Sequence, residues 1–241
     1  MDHLVYMSWM VSMKKQLSIH KKSTSQEPMV RHRGRPREFD REQVLAKAMR
    51  LFWERGYEST STADLRAHSG LTQASLYAAF DNKESLFREA VALYRQTAGI
   101  TTQRALATGQ TAKDSMRALL QDAVDTFTAK DAPGGCLLVL GAVNCSPENE
   151  ATQAHLRALR RETEHSILKR LERGQKDGDV PKEAPIQALA SFYTTVLHGL
   201  SIQSRDGVSR SAMIGAVECA MASWQQLVET KKSVKKSHSS Q

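Results

Sequence analysis

The chain has 241 residues, 40% hydrophobic and 25% charged, with a formal net charge of +8. This balance is ordinary for a globular protein and excludes global disorder. No apolar run approaches the roughly 20 residues of a spanning helix, so no membrane residence is expected and the cytoplasm is the expected location. The three cysteines, Cys136, Cys145 and Cys219, are an odd number without an export signal, which argues against a disulfide scaffold.

The charge is unevenly placed. Residues 1–37 carry eight Lys or Arg against two acids, and residues 231–241 carry four Lys and no acid, which leaves the body at −2. Basic character therefore belongs to two tails, and affinity for nucleic acid has to lean on an arm together with particular helix residues.

Residues 1–30 are polar after the first dozen and show no sustained period, so a disordered extension is expected, with Met29 as a candidate internal start. Residues 31–38 form a basic arm, Arg31-His32-Arg33-Gly34-Arg35-Pro36-Arg37-Glu38. From Phe39 the pattern turns helical. Asp40 suits an N-cap, Gln43 stands at the N3 position of a capping box, and Phe39 with Val44 has the spacing of a hydrophobic staple. The first helix presents Val44, Leu45, Ala48, Leu51 and Phe52 on one face and ends at Gly56.

Ser61 with Asp64 caps a second helix to about Ser69, Gly70 makes the turn, and Thr72 caps a third from about Gln73 to Phe80. Asp81 or Asn82 starts a fourth helix with Leu86, Phe87, Ala90, Val91 and Tyr94 as its stripe. The second and third helices with their short break are a helix-turn-helix, whose second member enters a DNA major groove.

Beyond Gln110 a helix is expected from about Asp114, ended by Pro133-Gly134-Gly135, then an apolar helical stretch from Cys136 to Val143. Ser146-Pro147 opens a long charged helix through Arg173, broken by Gly174, Gly178 and Pro181. The last two helices, about Pro185 to Arg205 and Ser209 to Val228, have apolar faces wider than a lone pair needs, including Leu189, Phe192, Val196, Leu197, Leu200, Met213, Ile214, Val217, Met221 and Trp224. That surplus points to a symmetry mate and an isologous four-helix interface over about 185–228, with Cys219 read as packing. No strand pattern competes, so the fold class is all-α. The division is 1–30 extension, 31–38 arm, 39–97 DNA-binding domain, 98–230 effector-binding and dimerisation domain, and 231–241 basic tail.

The run from Gly34 to about Arg95 resembles the DNA-binding domain of the TetR/AcrR family of bacterial transcriptional regulators. The resemblance is carried by Phe52, Gly56 and Tyr57, Ser61-Thr62, Gly70, Leu76-Tyr77, Phe80, and Asn82-Lys83-Glu84 followed by Leu86. It implies a homeodomain-like three-helix head, a helical ligand-binding and dimerisation half, and a homodimer whose recognition helices read a near-palindromic double-stranded operator. It further implies that an effector respaces those helices, with repression the commoner outcome.

The residues make a parallel case. Thr62 and Thr72 place hydroxyls at helix N-termini, which already favour a phosphate, and serve as caps, contacts or both. Tyr77 and Lys83 add a phenol and an ammonium that fix register; Tyr77 as core filler is the alternative. Gln73, Ala74 and Ser75 form the exposed first turn, where Gln73 suits adenine and Ala74 a thymine methyl. Ala78 and Ala79 leave this helix with few contacting groups. The arm compensates: Arg31, Arg33, Arg35 and Arg37 flank an R-G-R-P that resembles an AT-hook core, a minor-groove element. The same arm supports an alternative function, an architectural binder of AT-rich DNA.

Cys136 begins an apolar helix, where an N-terminus lowers a thiol pKa, and Cys145 follows nine residues on. The segment around them resembles the region through which some TetR-type regulators respond to electrophiles or oxidants. Cys136 is thus either a sensor or a small buried hydrophobe. Metal sensing would need Cys136, Cys145, His155, His165 and His198 to converge, though none has zinc-finger spacing, and no metal is expected. No Ser-His-Asp order, Gly-rich phosphate loop or paired-carboxylate motif is present, so neither an enzyme nor a cofactor is expected.

Overall fold

The computed structural model describes residues 40–229. The extension, the arginines of the basic arm, Phe39 of the expected staple and the basic tail lie outside the described residues. All regular structure among the described residues is helical. Among the described residues, 42–229 form one compact unit.

The head comprises α1 (Arg41–Arg55), α2 (Thr62–Ser69), α3 (Gln73–Phe80) and α4 (Lys83–Gln96). Local chemistry sets their boundaries. The Ser61 hydroxyl accepts from the Asp64 N–H at 3.1 Å while the Asp64 carboxylate accepts from the Ser61 N–H at 2.9 Å, a capping box that satisfies two orphan donors. Thr72 and Asn82 cap α3 and α4 through the N–H groups of Ser75 and Ser85. Leu65, Leu76, Phe80 and Leu86 are buried between these helices, and Phe52, Tyr57 and Phe87 form an aromatic cluster with centroids 5.0 to 6.1 Å apart.

The body comprises α5 (Ile100–Thr108), α6 (Ala112–Phe127), α7 (Leu137–Leu140), α8 (Glu150–Asp177), α9 (Ile186–Arg205), α10 (Arg210–Ala222) and α11 (Trp224–Glu229). Helix α6 is central: Met116, Leu119, Leu120 and Val124 pack with Ile167 and Leu171 of α8, Leu189, Tyr193 and Leu197 of α9, and Met213 and Val217 of α10 in one core.

Several sequence expectations are corrected. Helix α5 was not foreseen. Helix α6 starts two residues early, because Thr111 and Asp114 make a second capping box. Only Leu137–Leu140 of the apolar stretch is helical; Gly141 ends it by giving its carbonyl to the Tyr57 N–H, a long-range bond that periodicity does not register. Ser146-Pro147 opens a 3-10 turn, Pro147–Asn149, ahead of α8.

Gly174 does not end the long helix, which runs to Asp177 and closes at Gly178. At Gly174 a Cβ would strike the Asp179 carboxylate and Val180, so glycine is there for close approach. Ser223 interrupts the last helix; its hydroxyl donates to the Cys219 carbonyl, a back-bond that bends helices.

The surplus apolar face is smaller than expected, since Leu189, Leu197, Leu200, Met213, Val217, Met221 and Trp224 are consumed by the chain's own core. What remains outward is a stripe of small residues at helical spacing: Ala188, Ser191, Thr195 and Gly199 with exposed Ile202 on α9, then Ala212, Gly215, Cys219 and Ala222 on α10. Cys219 is exposed on this face instead of packed.

Candidate nucleic-acid interface and effector cavity

Helix α3 buries Leu76 and Phe80 and turns its opposite edge outward. Thr72, Gln73 and Ala74 are exposed and Ser75 is partly so. Ser75 is tied to its cap, because the Thr72 hydroxyl donates to the Ser75 hydroxyl at 3.0 Å. Gln73 therefore keeps the amide with freedom to reach a base edge. Ala78 is exposed and Ala79 partly so, which leaves the following turn without a long polar group.

Thr62 at the start of α2 and Tyr77 on α3 meet, with their hydroxyls 2.8 Å apart. One hydroxyl donates to the other, so the pair keeps one proton to aim outward beside the N-terminus of α2. That is suitable geometry for a phosphate oxygen. Tyr77 is part-buried, so it both packs and presents its phenol.

Lys83 behaves differently. Its ammonium lies 4.2 Å from the centroid of the Tyr57 ring, and burial, opposed by the Glu58 carboxylate and Cys145, pulls its pKa below the usual lysine value. It is drawn toward the junction of head and body. The ammonium was the feature read from sequence; the buried Tyr57 ring beneath it was not legible there.

The head is fastened to the segment between α6 and α8. The Trp53 indole N–H donates to the Gly135 carbonyl at 3.0 Å, and the Tyr57 N–H to the Gly141 carbonyl at 2.7 Å. Arg205, at the end of α9, donates to the carbonyls of Glu54, Trp53 and Gly134 at 2.6, 2.7 and 3.1 Å. These carbonyls include orphans at the C-terminus of α1, where a cation is also favoured by the helix dipole. Gly56 sits at φ +80°, and a Cβ there would lie 3.3 Å from the Gly141 carbonyl oxygen, so this junction needs a residue without a side chain.

The fastened segment also walls a cavity of about 110 Å³. Tyr94 and Ala98 close it from α4 and its end, Leu106 from α5, Phe127 from α6, Cys136 and Val139 from the segment, and Arg160, Leu197 and His198 from α8 and α9. Cys136 thus stands with one neighbour on the head and its own side chain on the cavity.

The expected lowering of the Cys136 pKa is overturned. Burial pushes the thiol up; the Tyr94 hydroxyl, the N–H groups of Val139 and Leu138, and the Arg160 charge act in the opposite sense and are outweighed. The helix-terminus effect exists, but a four-residue helix in an apolar setting is too weak to overcome desolvation. Cys145 lies apart from the cavity wall, at the junction, where burial and the neighbouring Glu58 carboxylate also push its thiol up.

Arg160 donates to the Leu138 carbonyl at 2.7 Å, and among the described residues no carboxylate pairs with it. Burial and the Arg160 charge hold His198 below the usual histidine value, against Glu164 acting upward. Among the described residues no three His, Cys, Asp or Glu side chains gather where they could hold a metal ion, so the cysteines and histidines considered for metal sensing do not converge. No described helix is long and apolar enough to cross a membrane.

Cys136 apart, the cavity residues and the fastening residues Trp53 and Arg205 were not read from the sequence, which offers no motif for them. Arg205 in the last turn of an apolar helix was the one available signal.

Comparison with known proteins aligns with this geometry. Residues 44–90 match the family model described as "Bacterial regulatory proteins, tetR family", and residues 112–216 match "Tetracyclin repressor-like, C-terminal domain". The HTH-type transcriptional repressor ComR of Escherichia coli strain K12 is 33% identical over 198 residues, covering 82% of this chain and 94% of ComR. The repressor BdcR of the same organism is 27% identical over 73% of this chain and 84% of its own length. A cysteine-substituted mutant of the TetR family regulator CifR, solved in complex with 26bp double-strand operator DNA, superposes with a TM-score of 0.77 at 42% identity over 79% of this chain and 100% of that one.

Proposed function

The chain belongs to the TetR family of bacterial transcriptional regulators, which are DNA-binding proteins and not enzymes, and on that premise we propose that it is an effector-responsive repressor reading a near-palindromic operator as a homodimer in the cytoplasm. Residues 39–97 read DNA and residues 98–230 sense and dimerise. The observation that carries the reading is the outward edge of α3, with Thr72, Gln73 and Ala74 free of the core beside the joined hydroxyls of Thr62 and Tyr77. Gln73 and Ala74 meet base edges; Thr62, Thr72, Ser75 and Tyr77 meet phosphates, and Lys83 adds charge at closer quarters to the body. The arginines Arg31, Arg33, Arg35 and Arg37 supply the minor-groove arm that a head with few long side chains needs.

The small-residue stripe on α9 and α10 supports the dimer. At Gly199 and Gly215 a Cβ would meet nothing within 4 Å, which is the open surface a close-packed mate requires. On the sensing side, the raised thiols of Cys136 and Cys145 favour occupancy of the cavity by a small molecule over direct oxidation as the first event. The effector then acts through the wall that holds Trp53 and Tyr57, changing how two heads are spaced along the duplex.

Selection of the full chain against random duplexes is the test. A palindrome whose half-sites lie about 34 Å, or a multiple, apart is the expected product. Enrichment of AT-rich tracts without symmetry would overturn the operator reading in favour of an architectural role.

A further inference from the structure

The cavity has a charge imbalance that the fold does not resolve. Arg95 and Glu162 on its rim neutralise each other at 3.1 Å. Among the described residues Arg160 has no such partner: one arm of its guanidinium is spent on the Leu138 carbonyl, and the residue borders the cavity as His198 does. The Arg160 guanidinium is only half-buried, and an anion or strong acceptor in the cavity would replace the hydration that this partial burial removes. Leu106, Phe127 and Leu197 add apolar surface to the same lining. The space therefore offers a cation for a negative charge and side chains for hydrocarbon.

We infer that the cavity is built for a small organic carboxylate, its charge on the Arg160 guanidinium and the His198 ring and its hydrocarbon part against Phe127 and Leu197. This rests on the effector reading above and narrows it to a ligand class. The planar fork of arginine suits a carboxylate bidentately, and a neutral imidazole adds a donor without adding a second desolvated cation. Size is bounded by volume: a cavity of about 150 Å³ holds benzene with its six carbons, so about 110 Å³ suits an acid of about four to six non-hydrogen atoms. Such ligands bind in the millimolar to micromolar range, because each non-hydrogen atom contributes at most about 1.5 kcal/mol and usually much less.

The test uses the full chain and ligand-observed NMR titrations of acetate, propanoate and butanoate, each beside its primary amide of the same shape. A charged hydrogen bond is worth enough to make each acid bind about tenfold tighter than its amide. In Arg160→Gln the ratio should fall to about one, and in Arg160→Lys it should remain above one; circular dichroism checks that both fold. Should Arg160→Gln not fold, the wild-type ratio decides alone. A ratio near one in the wild type, or a tenfold ratio that survives Arg160→Gln, overturns the inference. Titration in the presence of the selected operator separates the two readings. Acids that bind with the expected ratio yet release no DNA support the ligand class and refute the effector reading. Release by neutral compounds with no preference for acids refutes the ligand class and leaves the effector reading standing.

Discussion

Replacing Arg205 with Met removes a guanidinium while keeping most of an apolar stem. In the native protein this group donates to the carbonyls of Trp53, Glu54 and Gly134, tying the end of α1 to the segment before α7. A hydrogen bond to a charged group contributes about 1.5–3 kcal/mol when shielded and little when exposed. The Glu54 contact is exposed and is discounted, while the other two are part-buried and count at the lower end, about 3 kcal/mol together. Against this, Arg205 Nε is buried without a partner, and its removal returns about 1 kcal/mol of desolvation. The net expectation is a loss of about 2 kcal/mol, or about 4–8 °C in Tm at this chain length. Urea unfolding of Arg205→Met beside Arg173→Met gives the measurement. Arg173 is exposed with its Nε 3.7 Å from Asp177, so its loss should cost under about 0.5 kcal/mol. Equal midpoints for the two variants would refute the view that Arg205 fastens head to body.

Three further outcomes are expected. Because the Thr62 and Tyr77 hydroxyls share one hydrogen bond, Thr62→Val and Tyr77→Phe should each weaken operator binding about three- to tenfold, and the double variant should be little worse than either; full additivity would separate the two residues. Gly215→Leu should leave the chain's own fold intact, since its added side chain points into open space, yet yield monomers in analytical ultracentrifugation; an unchanged dimer would remove the small-residue face from the interface. Burial and Arg160 disfavour the charged form of His198, so stability should be full above the unfolded value of 6.5 and fall as pH drops below it toward the folded value, then level off. His155 is shifted in the same direction, so His198→Asn should remove part of that slope between pH 7.5 and 5 in urea titrations, and an identical slope would contradict the assignment.

The sequence by itself determined the elements whose boundaries rest on near neighbours. Ser61 with Asp64, Thr72 and Asn82 act over three residues, and the spacing of Leu65, Leu76, Phe80 and Leu86 marks the buried side of each helix, so the helix-turn-helix and its exposed Gln73 could be read before any coordinates. The Thr111 and Asp114 box is equally local, and its spacing is legible in the chain. Tertiary structure decided what distant residues do to one another. Gly174 looks like a helix breaker until Asp179 and Val180 crowd it, and Cys136 looks activated until burial outweighs its short helix. Arg160 and His198 stand 38 positions apart on different helices, yet they border one cavity. Periodicity tells which face of a helix leaves water, whereas desolvation and charge depend on what that face meets, and no local pattern in the chain carries that information.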